Sequence, residues 1–255
     1  MKLIDTHTHL YLPEFDNDRD EVVKSALNGG VIKLLMPNID IHSVDMMLSA
    51  VDRYPGVCFP MTGLHPTSVR EDWLPQLDTL EKLTSDNKFI AIGEIGIDLY
   101  WDKSYINEQL LAFRRQITFA ISSGLPVVIH SRESSAEVFS VLKEFKGKGL
   151  KGVLHAFTGN LDDAEKAIEL GLKLGIGGIV TFKNSGLDKT VKEIGPENLI
   201  LETYSPYLAP VPHRGKRNES SYIGLINKKL AELFGMSEEQ IARVTFANST
   251  ELFNI

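Results

Sequence analysis

Eight short apolar runs recur along the 255 residues at intervals of about thirty, each followed by a stretch of different periodicity. The runs are Leu3–Asp5, Ile32–Met36, Val57–Thr62, Phe89–Gly93, Pro126–Ile129, Gly152–Leu154, Leu172–Gly177 and Leu199–Leu201. Most are continuously apolar rather than alternating, as expected of parallel strands covered on both faces. Between them hydrophobics recur at helical spacing. Val44, Met47, Leu48 and Val51 mark one stripe, and Ile106, Leu110, Phe113, Ile117 and Ile121 another. Val138, Val141, Leu142 and Phe145 repeat the pattern, as do Ile223, Ile226, Leu230 and Leu233.

Such alternation predicts an α/β protein, a (β/α)₈ TIM-type barrel. A doubly wound open sheet is the competing arrangement. The stretch Ser237-Glu238-Glu239-Gln240 carries a capping-box pattern, which adds a C-terminal helix after the barrel has closed. No low-complexity linker, charge run or shift in composition divides the chain, so residues 1–255 are expected to form one domain.

Charge narrows the partners. With 27 Lys+Arg against 34 Asp+Glu, the net charge of −7 offers no long-range attraction for a polyanion. Tight, non-specific duplex binding is therefore not expected, although a few cations inside a cleft can still hold a phosphate. Cys58 is the sole cysteine, which excludes an intrachain disulfide and fits a buried thiol in a reducing compartment. No apolar run approaches the roughly 18 residues of a bilayer span, and the N-terminus leads directly into a strand. A cytoplasmic location without a membrane or an obligate protein partner is the expectation.

Metal-ligating residues stand where these strands are expected to end. His7 and His9 follow "LID", Glu94 follows "FIAIG", His130 follows "VVI" and His155 follows "GVL". Period-two alternation turns His7 and His9 to one side, where two neutral imidazoles can grip one divalent ion. A carboxylate such as Glu94 can bridge two cations and offset their repulsion. Chemistry in this fold sits at the C-terminal ends of the strands, where all five residues are expected.

Other polar groups read less sharply. His65 in "GLHP" suits either a phosphate contact or a structural role. Arg132 suits a bidentate phosphate clamp or a brace for its loop. Arg214, Lys216 and Arg217 form a basic cluster after the last strand, either solvated or overhanging the mouth. His42, ahead of a helix, reads as a cap or surface residue.

The stretches "DTHTHL", "GLHP", "GEIGIDLY", "PVVIHSR", "HAFTG", "LETYSPYLAP" and "PHRGKRNE" run through nearly the whole chain. In this order they resemble the TatD family of metal-dependent deoxyribonucleases, within the amidohydrolase-like superfamily of (β/α)₈ barrels. The resemblance implies phosphodiester hydrolysis with one or two divalent ions (Mg²⁺, Mn²⁺ or Zn²⁺), often trimming DNA from a 3′ end. It assigns metal contacts to His7, His9, Glu94, His130 and His155; on the hydrolase reading, His65, Arg132 and Arg214 are the residues expected to orient the phosphate.

One position departs from the pattern. Tyr204 stands where the family carries an Asp that touches a metal and aligns or deprotonates the attacking water. A phenol with a pKa near ~10 stays neutral at pH 7 and is far larger than an Asp side chain. Thr67 also replaces a frequent second His after "HP", and Ser220 a frequent Pro. Glu94 and Tyr204 thus become the groups on which catalysis turns. Three readings stay open: a DNA-trimming hydrolase impaired by Tyr204, a metal-binding barrel without catalysis, and a hydrolase of another ester or amide bond.

Overall fold

The computed structural model describes residues 1–86 and 89–255 and is built on eight strands. They are β1 (Leu3–Asp5), β2 (Val31–Met36), β3 (Cys58–Pro60), β4 (Ile92–Asp98), β5 (Val127–Arg132), β6 (Gly152–Leu154), β7 (Leu172–Ile176) and β8 (Leu199–Leu201). β1 to β3 pair in parallel as one ladder, and β4 to β8 as another. Single bridges join the ladders, Thr62 with Ile92 and Thr8 with Ser205. The Thr6 amide also donates to the Leu201 carbonyl at 3.1 Å, so β8 returns to β1 and the barrel closes.

Helices follow the strands as the stripes require: α1 (Arg19–Asn28), α2 (Val44–Arg53), α3 (Trp73–Asp86), α4 (Ile106–Ser123), α5 (Ser135–Lys143), α6 (Leu161–Glu169), α7 (Leu187–Ile194) and α8 (Ile223–Phe234). Phe113 and Ile117 of α4, and Ile223, Ile226 and Leu230 of α8, are fully buried in the layer between helices and strands. Ile4, Leu35, Val128, Val153 and Ile200 face inward instead and fill the barrel interior. Leu252 and Phe253 pack onto that inner cluster from α9 (Glu238–Phe253). The capping box read from the sequence is formed, with Ser237 Oγ accepting from the Gln240 amide and Gln240 Oε1 from the Ser237 amide.

Two strands run well past the ends read from the sequence, while β2, β3 and β7 shift by only one or two residues. β4 begins at Ile92 rather than Phe89 and runs through Glu94 to Asp98; β5 runs through His130 to Arg132. An apolar-run criterion ends a strand at its first ionisable residue, whereas these strands continue because their charged side chains meet partners inside the barrel. β4 also carries an irregularity. Ile92 pairs with Val127 and Ile95 with Ile129, so three steps on β4 face two on β5. Such a bulge re-aims side chains, and here Glu94 turns inward although Ile92 packs toward the helices. Gly96 permits the close approach, since a Cβ there would lie 2.0 Å from the His130 carbonyl oxygen.

Candidate metal centre

Glu94 is fully buried at the centre of the C-terminal mouth, and its two oxygens face different imidazoles. Oε2 lies 3.1 Å from His7 Nε2 and 3.6 Å from His9 Nε2. Oε1 lies 2.9 Å from His130 Nδ1, 3.4 Å from His65 Nε2 and 3.8 Å from His155 Nε2. Burial alone would raise the Glu94 carboxyl, but the imidazoles of His7, His65 and His155 hold it well below the usual carboxylate range. The five residues expected as ligands are therefore brought together.

Tyr11, Asp98 and Glu202 stand against the far sides of His9, His130 and His155. Tyr11 donates its hydroxyl to the Pro37 carbonyl at 2.8 Å and accepts from His9 Nδ1 at 3.1 Å, which leaves the His9 lone pair on Nε2, 3.3 Å from His7 Nε2. Asp98 Oδ2 lies 2.9 Å from His130 Nε2, so Nδ1 is the nitrogen turned to Glu94. Burial opposes charge on His130, yet the hydrogen bonds to Asp98 and Glu94 raise its pKa to about 9. Glu202 Oε1 accepts from the Ala156 amide at 2.6 Å and sits 3.0 Å from His155 Nδ1 without hydrogen-bonding it.

His7 has no such support. Burial and the neighbouring His155 push its pKa well down, so it stays a neutral donor of electron pairs. His7 Nδ1, both nitrogens of His155, Glu94 Oε2 and Glu202 Oε2 are buried without a hydrogen-bond partner. Unmet donors and acceptors concentrated in one place normally carry a heavy penalty. Clusters of ligand atoms within 4.8 Å of one another comprise His7–His9–Glu94, His7–His155–Glu202 and His65–Glu94–His130. Nitrogen and carboxylate donors in this set fit a divalent ion such as Zn²⁺ or Mn²⁺.

His65 is less suited as a ligand than its distance suggests. Its Nδ1 accepts from the Thr67 amide at 3.2 Å, which places its proton on Nε2, the atom facing Glu94. That nitrogen is a hydrogen-bond donor, available to Glu94 or to a substrate oxygen.

Tyr204 is held in place by strand-like pairing beyond the barrel rim. Its amide donates to the His7 carbonyl at 2.8 Å, and the His9 amide donates to the Ser205 carbonyl at 2.8 Å. Asp5 anchors the same segment, accepting from the Thr203 amide at 2.8 Å and its hydroxyl at 2.5 Å. The phenol ring consequently meets the His155 ring edge-on at 4.5 Å and the His7 ring at 5.3 Å. Burial, and then the Glu94 charge, push its pKa upward, so it carries no negative charge near neutral pH.

A cavity of about 630 Å³ opens above these groups, lined by His9, His65, Glu94, His130, Arg132, His155 and Tyr204 among others. The Arg132 guanidinium lies over the Tyr100 ring at 3.8 Å. Arg214 does not reach the lining; it stacks over Phe182 at 4.6 Å. Arg217 is drawn away to Asp18 and the Glu14 carbonyl. His42 is exposed in the turn before α2. Asp5, Tyr11, Asp98 and Glu202 were not singled out from the sequence. Glu202 had a usable signal, because it directly follows an apolar strand as His130 and His155 do.

The family model for TatD related DNases matches residues 4–254. The chain belongs to this family. Among TatD relatives, the uncharacterized metal-dependent hydrolase YabD of Bacillus subtilis (strain 168) is 36% identical over 254 residues, covering 99% of each chain. The 3′-5′ ssDNA/RNA exonuclease TatD of Erwinia tasmaniensis is 31% identical over 259 residues, covering 99% of this chain and 100% of that one. The crystal structure of YjjV, a TatD homolog from Escherichia coli K12, superposes with a TM-score of 0.93 at 28% identity, covering 99% and 98% of the two chains.

Proposed function

We propose that this TatD-family protein is a divalent-metal-dependent phosphodiesterase that trims the ends of single-stranded DNA, slowed by Tyr204. The observation that carries the reading is Glu94, whose two oxygens stand between separate groups of imidazoles. His7, His9, Glu94, His130 and His155 would hold one or two cations. A cation bound there polarises a phosphoryl oxygen and makes nearby water more acidic. Arg132 at the cavity wall orients the phosphate by charge and hydrogen bonding. His65 offers its Nε2 proton to a phosphate oxygen, and Arg214, over Phe182 outside the lining, is left to the trailing strand. The name carried by the Erwinia relative supports a single-stranded nucleic acid as substrate.

Tyr204 cannot act as the family carboxylate would. A neutral phenol takes no proton from water near pH 7, and its ring fills space beside His155 and His7. Loss of a general base costs roughly 10²–10⁴-fold in rate. The same ring favours a second reading, a barrel that holds metal without turnover. A cytoplasmic setting belongs to the proposal and is supported by the sole cysteine being a buried thiol. Among the described residues no helix is long and apolar enough to cross a membrane.

The deciding experiment compares the purified protein with Tyr204→Asp on single-stranded DNA in Mg²⁺ or Mn²⁺, with metal content measured on both. Slow release of nucleotides by the parent and a rate gain on the order of 10²-fold or more in the variant is the expected result. An inert parent with an active variant favours the second reading. Two metal-loaded proteins that both leave DNA intact would refute phosphodiester hydrolysis and point to another ester or amide bond.

A further inference from the structure

Trp101 is the most exposed large hydrophobic side chain among the described residues, at 68%, and it lines the same cavity as Glu94. A single exposed aromatic ordinarily needs no ligand to explain it. This one is held in place. Asp98 Oδ1 accepts the amide protons of Tyr100 at 3.0 Å and Trp101 at 3.1 Å, while Oδ2 of the same carboxylate lies 2.9 Å from His130 Nε2. One buried carboxylate thus links the loop after β4 to a residue of the metal centre. The Trp101 ring meets Tyr100 edge-to-face at 4.9 Å and 87°. The Arg132 guanidinium sits 3.8 Å from the Tyr100 centroid and 5.5 Å from that of Trp101.

A cation beside two exposed aromatic rings, at the edge of a cavity containing candidate metal ligands, matches one kind of occupant. Arg132 complements a phosphate, and the indole complements the flat base attached to it. We propose that Trp101 is the stacking platform for the nucleobase next to the phosphate held in the cavity, so that the protein grips nucleoside ends and not bare phosphodiesters. The inference rests on the nucleic-acid reading of the site and extends it. Stacking accepts any base, so little sequence preference accompanies it.

The test uses the full chain loaded with Mn²⁺ and two fluorescently labelled, phosphorothioate-linked oligothymidylates. One has an intact 3′ nucleoside; the other has an abasic residue there with the same number of phosphates. Anisotropy titrations should show Trp101→Leu weakening the intact strand by roughly tenfold or more. Binding of the abasic strand and metal content should stay unchanged, and Trp101→Phe should recover most of the loss. Equal affinity of the parent for both strands, or an equal loss on both in Trp101→Leu, would overturn the stacking role. A parent that cuts ordinary single strands, with an unchanged KM in Trp101→Leu, removes the platform and leaves the nuclease reading intact. A metal-loaded parent that neither binds nor cuts either strand removes both.

Discussion

The imidazole rings of His7 and His155 lie stacked, with centroids 3.4 Å apart and planes 19° from parallel. Both are buried, and His7 Nδ1 and both His155 nitrogens lack a hydrogen-bond partner. Two imidazoles so placed favour a state in which a cation takes their lone pairs. Metal binding should therefore stabilise the fold visibly. At a hundredfold excess over Kd a ligand adds about 2.7 kcal/mol, or roughly 5–10 °C in Tm for a domain of this size. Thermal melts with Mn²⁺ or Zn²⁺, reversed by chelator, measure the effect. His7→Ala should abolish most of the metal-dependent shift, and a full shift in that variant would exclude His7 as a ligand.

Gly175 and Glu202 make a second pair. A Cβ on Gly175 would lie 2.2 Å from Glu202 Oε2, so the carboxylate occupies space that only glycine leaves open. Gly175→Ala should expel Glu202 from its place beside His155 Nδ1. Removing such an outer partner of a metal-binding histidine typically costs about 10–100-fold in metal affinity. Competition with a chromogenic chelator reads this directly. Unchanged affinity would mean that Glu202 does not steer His155.

The C-terminal helix α9 provides a control far from the chemistry. Ser237→Ala removes the side-chain acceptor of its capping box and should cost about 1 kcal/mol of stability. Denaturant midpoints should fall while metal content holds. A loss of metal would connect α9 to the mouth.

Cys58 is buried, and burial pushes its thiol up to about 12. The folded state favours the protonated thiol, so this contribution to stability is complete below the ordinary thiol pKa near 9. It disappears as pH rises from about 9 toward about 12. At pH 8 the native protein should resist thiol reagents and label only after denaturant is added. Cys58→Ala should lack this part of the alkaline loss, and rapid native labelling at pH 8 would contradict the burial.

Strand count, the helices between strands and the last capped helix are legible from spacing alone, and the family from the motifs that resemble it. Those features follow from periodicity and turn chemistry, which are properties of short stretches of chain. His7, His9, Glu94, His130 and His155 could be found in the same way, because an ionisable residue set after an apolar strand stands out locally. The direction of Glu94 could not. It depends on a bulge defined only against β5, with Ile95 opposite Ile129. Asp98 and Glu202 acquire meaning only through His130 and His155, residues 32 and 47 positions away along the chain. Tyr204 is visible in the sequence as a missing carboxylate. Its ring stands beside His155 because residues 203–205 pair with residues 5–9 across the closed barrel. A backbone period describes neighbours along one segment, whereas what an inward side chain touches is set by the strands that close around it.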